Sequence, residues 1–166
     1  SGNIAADIVA KAPADGYTVF FANSSIAISP AIYKKLSFDP VKDFAAISMA
    51  SSYPFALVAH PALPVKTVKD LVALAKSKPN SLDYSSAGTG TMSHMAMEML
   101  RVKTGTRITH LPYKGAAPAS VALLTGESQV AFVVMPVAAP HVRNNRLRGL
   151  AVADKVRSAV APELPT

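Results

Sequence analysis

Tyr84-Ser85-Ser86-Ala87-Gly88-Thr89-Gly90-Thr91-Met92-Ser93-His94 is the stretch on which the reading of this chain turns. Asp83 to Ser85 reads as a short strand. An amphipathic helix follows from Thr91 or Met92, with Met92, Met95, Ala96, Met99 and Leu100 on one face and Gly105 as its stop. Such a junction aims free backbone N–H groups, and the positive end of the helix dipole, at whatever lies in front of it. The two glycines let backbone approach a ligand closely. Ser85, Ser86, Thr89, Thr91 and Ser93 add hydroxyls that bond carboxylate or phosphate oxygens. This is the chemistry of an anion cradle, and the methionines read as core filling rather than as a soft binding face.

The same strand-loop-helix unit recurs on either side. Downstream, Arg107 to Leu111 reads as a strand, Pro112 to Gly115 as a loop, and Pro118 to Leu124 as a helix closed by Gly126. Gln129 to Met135 and Arg148 to Val152 read as further strands around a helical piece at Ala138 to Val142. Upstream, Thr67 and Asp70 form a capping box for a helix running to Lys78. Units of this kind in series predict an α/β fold with a largely parallel sheet. Nearer the N-terminus, Asn3 is expected to cap a helix from Ile4 to Lys11. Tyr17 to Ala22 is expected as a strand buried on both faces. It ends in Asn23-Ser24-Ser25, a second polar loop at the strand edge where open α/β sheets bind ligands. Ser29-Pro30 predicts a helix start reaching Leu36. Ala45 to Ser51 and Phe55 to His60 read as two more strands, and Pro61 and Pro64 stiffen an extended connection expected to cross between lobes.

With 166 residues, half of them hydrophobic and 16% charged, the chain has ample material for a core. It has no cysteine, which excludes disulfides and Cys metal sites. No window approaches the ~18 apolar residues of a membrane span, so direct membrane insertion is not expected. Ser1-Gly2-Asn3 is unlike a signal peptide, so any targeting segment is expected outside this chain. Lys and Arg number 17 against 10 Asp and Glu, a net charge of +7. These charges are spread from Lys11 to Arg157, and the densest group, Arg143, Arg146 and Arg148, has no aromatic among it. That is a solvated basic surface rather than a nucleic-acid site.

Specific chemistries fail on spacing. Gly90 is followed by Thr91 where a P-loop needs Lys, and Ser93 stands where the dinucleotide fingerprint needs its third glycine. The nucleophile elbow is absent, and Ser93 and His94, adjacent on a helix, do not face each other. His60, His94, His110 and His141 lack the spacing of a helical zinc pair, so no metal and no cofactor are expected. Each reads as a structural histidine, with His94 nearest to any ligand. Tyr113 and Lys114, at the same edge as the opening loop, read equally as ligand contacts and as packing or solvent-facing residues.

The runs NIAADIVAKAPADGYT (3–18), ANSS (22–25), KLSFDPVKDF (35–44), YSSAGTGT (84–91) and PYKG (112–115) resemble, in one order, the tripartite tricarboxylate transporter receptors, the Bug or TctC family of periplasmic solute-binding proteins. The resemblance covers essentially the whole chain. It implies a two-lobed, type II periplasmic-binding-protein-like fold with mainly parallel sheets, closing on a small organic carboxylate for delivery to the membrane subunits of a tripartite transporter. Residues 1–58 would be part of lobe I and 59–166 most of lobe II, with the crossing near 55–66. Carried over by position, the ligand loops fall on Asn23, Ser24 and Ser25 and on Ser86, Ala87, Gly88, Thr89, Gly90 and Thr91, with Tyr113 and Lys114 nearby. The resemblance also implies an earlier strand with a carboxylate-gripping loop and a longer C-terminal part, so lobe I is expected to be incomplete here. Val133 stands where many relatives carry Asp, which argues against an amino-acid ligand.

The expected function is therefore periplasmic capture of a mono-, di- or tricarboxylate without catalysis. The alternatives are an effector-binding domain of a transcriptional regulator, a transferase or hydrolase using Lys114 or a histidine, and a piece that binds nothing alone.

Overall fold

Strands β1 (Phe55–Ala59), β2 (Asp83–Ser86), β3 (Thr109–Pro112), β4 (Val130–Val134) and β5 (Arg148–Ala153) form a sheet in the order β3-β2-β4-β1-β5 in the computed structural model, which describes residues 2–166. β2 lies parallel to β3 and β4. β1 is inserted antiparallel to both its neighbours, β4 and β5, so the largely parallel sheet carries one reversed strand. β1 and β4 are near-continuous apolar runs because helices cover both faces of the sheet.

Strand alternation divides the core in two. Leu57, Ala59, Tyr84, Val130 and Leu150 face the side covered by α3 (Val68–Ser77) and α4 (Met92–Thr104), where Leu71, Ala75 and Met97 are fully buried. Ala56, Val58, Ala131, Val133 and Val152 face α5 (Ala116–Thr125) and α6 (Met135–Arg143). Ala161 and Leu164 complete that second cluster, and the Val152 N–H donates to the Pro165 carbonyl at 2.7 Å, tying the C-terminal stretch to β5. β5 accommodates a register shift opposite Leu57 and Val58, which pair with Ala151 and Gly149 and leave Leu150 as the extra residue.

The helix boundaries follow local chemistry. The Thr67 hydroxyl accepts the Asp70 N–H at 3.1 Å while the Asp70 carboxylate accepts the N–H groups of Thr67 and Lys66, a capping box with an additional bond. Gly105 ends α4 in the left-handed region, at φ 65°. Among the described residues no helix is long and apolar enough to cross a membrane.

The N-terminal third departs from expectation. α1 (Asn3–Ala10) and α2 (Ser25–Ile32) are present, but Tyr17 to Ala22 and Ala45 to Ser51 are not strands. Both run extended and largely exposed, with Tyr17 at 93%, Phe21 at 77% and Ile47 at 81%. Apolar β-formers make a strand only where a neighbour supplies backbone partners, and no described residue pairs with either segment. Phe20 and Phe38 instead pack on Phe44, with ring centroids 5.6 and 5.9 Å away. Ser29 and Pro30 do not begin a helix either. They sit inside α2, where the Ser29 hydroxyl bonds the Ser25 carbonyl and the Asn3 side chain, each at 2.8 Å. Asn3 is thereby committed to Ser29 and is not the cap of α1. The capping chemistry at α2 comes from Asn23, whose Oδ1 accepts the Ser25 N–H at 2.9 Å.

Thr67→Ala removes one acceptor from the α3 capping box, and the chain should lose about 1 kcal/mol of stability. A urea titration checks this: the midpoint should fall with an unchanged slope.

Candidate functional site

The C-terminal ends of β2 and β4 and the N-terminal ends of α2, α4 and α5 open onto one cleft of about 1970 Å³. Ser86, Ala87, Thr91, Met92 and Ser93 line it from the sheet side, and Asn23, Ser24 and Ser25 from α2. Closed small-molecule sites rarely exceed ~1,000 Å³. The excess volume reflects an open far wall, built from the extended stretch through Ile47 and Met49. Among the described residues lining this cleft no Lys, Arg or His side chain occurs, and the charged ones are Asp43 and Asp154. An anion here is held by N–H and hydroxyl dipoles rather than by a cation. The N-terminus of α4 supplies free N–H groups, whereas those of Ser25, Ile26 and Ala27 in α2 are bonded to Asn23 and Ser24, so α2 adds its helix dipole alone.

The β2–α4 loop is internally bonded. The Ala87 N–H donates to Ser93 Oγ at 3.2 Å, Gly88 to Ser86 Oγ at 3.2 Å, Gly90 to His94 Nδ1 at 3.3 Å and Thr91 to the Gly88 carbonyl at 3.2 Å. Both glycine N–H groups thus turn inward. The donors left without a partner are the N–H of exposed Thr89 and the first-turn N–H groups of α4, at Met92, Ser93 and His94, which a helix cannot satisfy by itself. Glycine is required at both positions. Gly88 has φ 125°, with the Tyr113 carbonyl 3.1 Å from where a Cβ would stand, and Gly90 has φ 79°, with Ile32 Cδ1 at 3.2 Å.

The structure sorts the expected ligand residues into three groups. Asn23, Ser24, Ser25, Ser86, Ala87 and Thr91 line the cleft. Gly88, Thr89, Tyr113 and Lys114 border a separate shallow hollow of about 460 Å³ with Tyr33 and Gly115, which Ala87 also reaches. Gly90 lines neither and is buried against Ile32 and Tyr33. Tyr113 is tied down, its hydroxyl donating to Glu127 at 2.6 Å, a bond that with slight desolvation pushes its pKa up to about 12. Sequence reasoning missed the apolar floor of Ala119, Phe132 and Val137. The rule that ligands sit beyond the strand ends, applied to β4, would have found the last two. Among the described residues no group of three His, Asp or Glu side chains is placed to hold a metal ion.

Behind the loop, on the α4 side of the sheet, three rings lie nearly parallel. His110, paired with Tyr84 across β3 and β2, stacks on it at a centroid distance of 4.6 Å. His94 stacks on His110 at 4.2 Å. The His110 Nε2 meets Ser86 Oγ at 2.6 Å, and the Tyr84 hydroxyl and the Arg101 guanidinium both donate to Glu98 Oε1. Burial pushes the His110 pKa down to about 4, with His94 adding to the fall, and burial lowers that of His94 as well. Burial acting alone would raise the Glu98 carboxyl, but its bonds from Tyr84 and Arg101 outweigh that and hold it below the usual range. Burial and the bond to Glu98 raise the Tyr84 hydroxyl. Both imidazoles are therefore neutral at pH 7.

The family described as "Tripartite tricarboxylate transporter family receptor" matches residues 1–166. Among solved structures, "R. palustris Rpa4515 with adipate" is 34% identical with a TM-score of 0.94, the match covering 99% of this chain and 56% of that one. The periplasmic binding protein BugD is 27% identical at a TM-score of 0.93, over 99% and 55%. MatC from Rhodopseudomonas palustris with bound malate is 26% identical at 0.86, over 99% and 56%. The chain spans about half the length of the curated relatives it matches; for Protein BugT of Bordetella pertussis, 32% identical across 99% of this chain, the share is 51%.

The histidine pair sets a pH dependence. Because the folded-state pKa of His110 lies below its ordinary 6.5, the unfolded chain takes up more protons in acid. Stability should be fully present above about pH 6.5 and decline towards pH 4, with His94 contributing in the same direction. Urea midpoints across that range should fall, and the fall should shrink in His110→Gln.

Proposed function

Because this chain belongs to the tripartite tricarboxylate transporter receptor family, we propose that it forms part of a periplasmic receptor that captures a small organic carboxylate and performs no catalysis on it. The observation that carries this reading is the convergence of the α2 and α4 N-termini on a cleft whose described lining has no cationic side chain. A carboxylate fits such a site. It accepts several short hydrogen bonds from N–H and hydroxyl groups, and it loses less on leaving water than a more highly charged phosphate ester would. The adipate complex of Rpa4515 and the malate complex of MatC support the same ligand class.

The carboxylate group sits, in this proposal, between Ser24 and Ser25 on one side and the first turn of α4 on the other, with Ser86 and Thr91, whose hydroxyls are engaged within the loop, as the wall beside it. The body of the ligand lies over Met92, Ala119, Phe132 and Val137, which favours an aliphatic acid over a polyhydroxylated one. Residues up to Pro54 belong to the first lobe. β1, being a strand within the five-stranded sheet, belongs with the second. The two close on the ligand and exclude water, and the loaded receptor passes its cargo to the membrane subunits of a tripartite transporter. Lys114 and Tyr113, in the neighbouring hollow, act at the rim of the site.

Isothermal calorimetry against a panel of aliphatic mono- and dicarboxylates, with a nucleotide and inorganic phosphate as controls, tests the proposal. Heat is expected with at least one carboxylate and with neither control. A folded protein giving no heat with any carboxylate would overturn it. Ser24 is exposed, so Ser24→Ala should leave the fold intact and weaken binding about tenfold, the loss of one hydrogen bond to a charged group.

A further inference from the structure

We propose that His94 and His110 are positioning residues of the anion-facing loop: as neutral hydrogen-bond acceptors they turn the Gly90 and Gly88 N–H groups inward, and this leaves the first turn of α4 free to face the cleft. The inference deepens the carboxylate reading and rests on it only for its ligand arm.

The hydrogen-bond directions carry the argument. Gly90 donates to Nδ1 of His94, so that nitrogen bears no proton and the ring is the Nε2–H tautomer, with Nε2 4.0 Å from Glu98. Gly88 donates to Ser86 Oγ, which leaves the hydroxyl hydrogen of Ser86 free. In this proposal it points to His110 Nε2, 2.6 Å from Ser86 Oγ, which requires His110 to be the Nδ1–H tautomer. The loop thus ends in two relays, one direct and one through Ser86, and each terminates on an unprotonated imidazole nitrogen. A backbone N–H needs an acceptor: without His94 the Gly90 N–H loses its own and turns outward, and without His110 the Ser86 hydroxyl that receives the Gly88 N–H loses the partner that fixes its rotamer.

The stack keeps the acceptors neutral. His110 lies between Tyr84 on β2 and His94 on α4, and a second imidazolium 4.2 Å from the first would be repelled. The charged or titratable groups facing the pair are Tyr84 from β2 and Glu98 and Arg101 from α4. Glu98 pulls the other way, but burial outweighs it and Arg101, which shares the carboxylate with Tyr84, opposes it. Burial of both rings acts in the same direction.

Two kinds of measurement test this on the full-length receptor. Long-range ¹⁵N–¹H NMR should find the Nε2–H tautomer at His94 and the Nδ1–H tautomer at His110, and the Gly88 and Gly90 amides should exchange slowly at neutral pH. On acidification the two amides should lose protection together with titration of the imidazoles. The opposite tautomers, or glycine amides that exchange freely at neutral pH, would overturn the proposal. In the ligand arm, His94→Asn and His110→Gln place a neutral acceptor close to Nδ1 and Nε2 respectively. They should hold affinity for the best carboxylate of the panel within about twofold, whereas His94→Leu and His110→Leu should lose about tenfold, the cost of one lost charged-group hydrogen bond. Leu variants that bind as well as the parent would also overturn it. If no carboxylate binds the parent while the tautomers and amide protection appear as described, the loop mechanism stands and the carboxylate reading fails.

Discussion

Buried backbone cannot leave its N–H groups without acceptors, and the turn between β2 and α4, though open to solvent at Thr89, is buried at both Ser86 and Gly90. Each loop N–H from Ala87 to Thr91, Thr89 excepted, has a partner within a few residues. Meeting that demand explains features that otherwise look unrelated. Two glycines take dihedral angles closed to other residues, and Ser86 and Ser93 act as local acceptors. Tyr84, on the strand before the loop, is the flat platform on which the rings stack. Once the loop is closed on itself, the donors it leaves are the Thr89 N–H, on the solvent side, and the helix end, which is the set best suited to an anion.

The parts of the fold legible in the sequence were those determined by near neighbours. The Thr67–Asp70 box and the Gly105 stop involve contacts three or four residues apart, and β4 announces itself because both its faces are covered. Tyr17 to Ala22 looked the same as β4 by composition, but a strand is a property of a pair. No described segment pairs with it. The helix at Ser25 was hidden behind Pro30, which is a strong start signal yet sits here in the last turn, where it forgoes a single N–H bond. At the site, the polar loops were found because strand ends feed helix starts in this fold class. Their division between cleft and hollow was not legible. It depends on how the turn at Gly88 and Gly90 twists Thr89 away from Thr91. The meeting of His110 with Ser86, 24 residues apart, needs the parallel pairing of β2 and β3 to be known first.

The charge distribution separates attraction from selection. A net charge of +7 draws anions towards the molecule from a distance, within the ~8–10 Å that salt allows. Selection takes place where those cations are absent. Part of the basic group that looked like open surface has structural employment: Arg148 holds the carbonyls of Leu63 and Val65 at 2.7 and 2.8 Å, and Arg143 holds that of Val160 at 2.7 Å. A cleft without a lysine or arginine binds through directional dipoles, which discriminate by the placement of oxygens and not by total charge.

The reversed strand β1 has a mechanical consequence. Phe55 pairs with Val134 and Ala153, at the C-terminal ends of β4 and β5, and the Met135 N–H bonds the Pro54 carbonyl at 2.9 Å. The chain therefore enters the sheet at the mouth of the cleft and works as a doorpost there. A turn at Tyr53 and Pro54 would, in the proposed closure, carry the wall that precedes them across the opening while the floor stays still. Had β1 run the other way, the same link would arrive at the base of the sheet, and the wall would need a further span of roughly 17 Å of chain to reach the mouth.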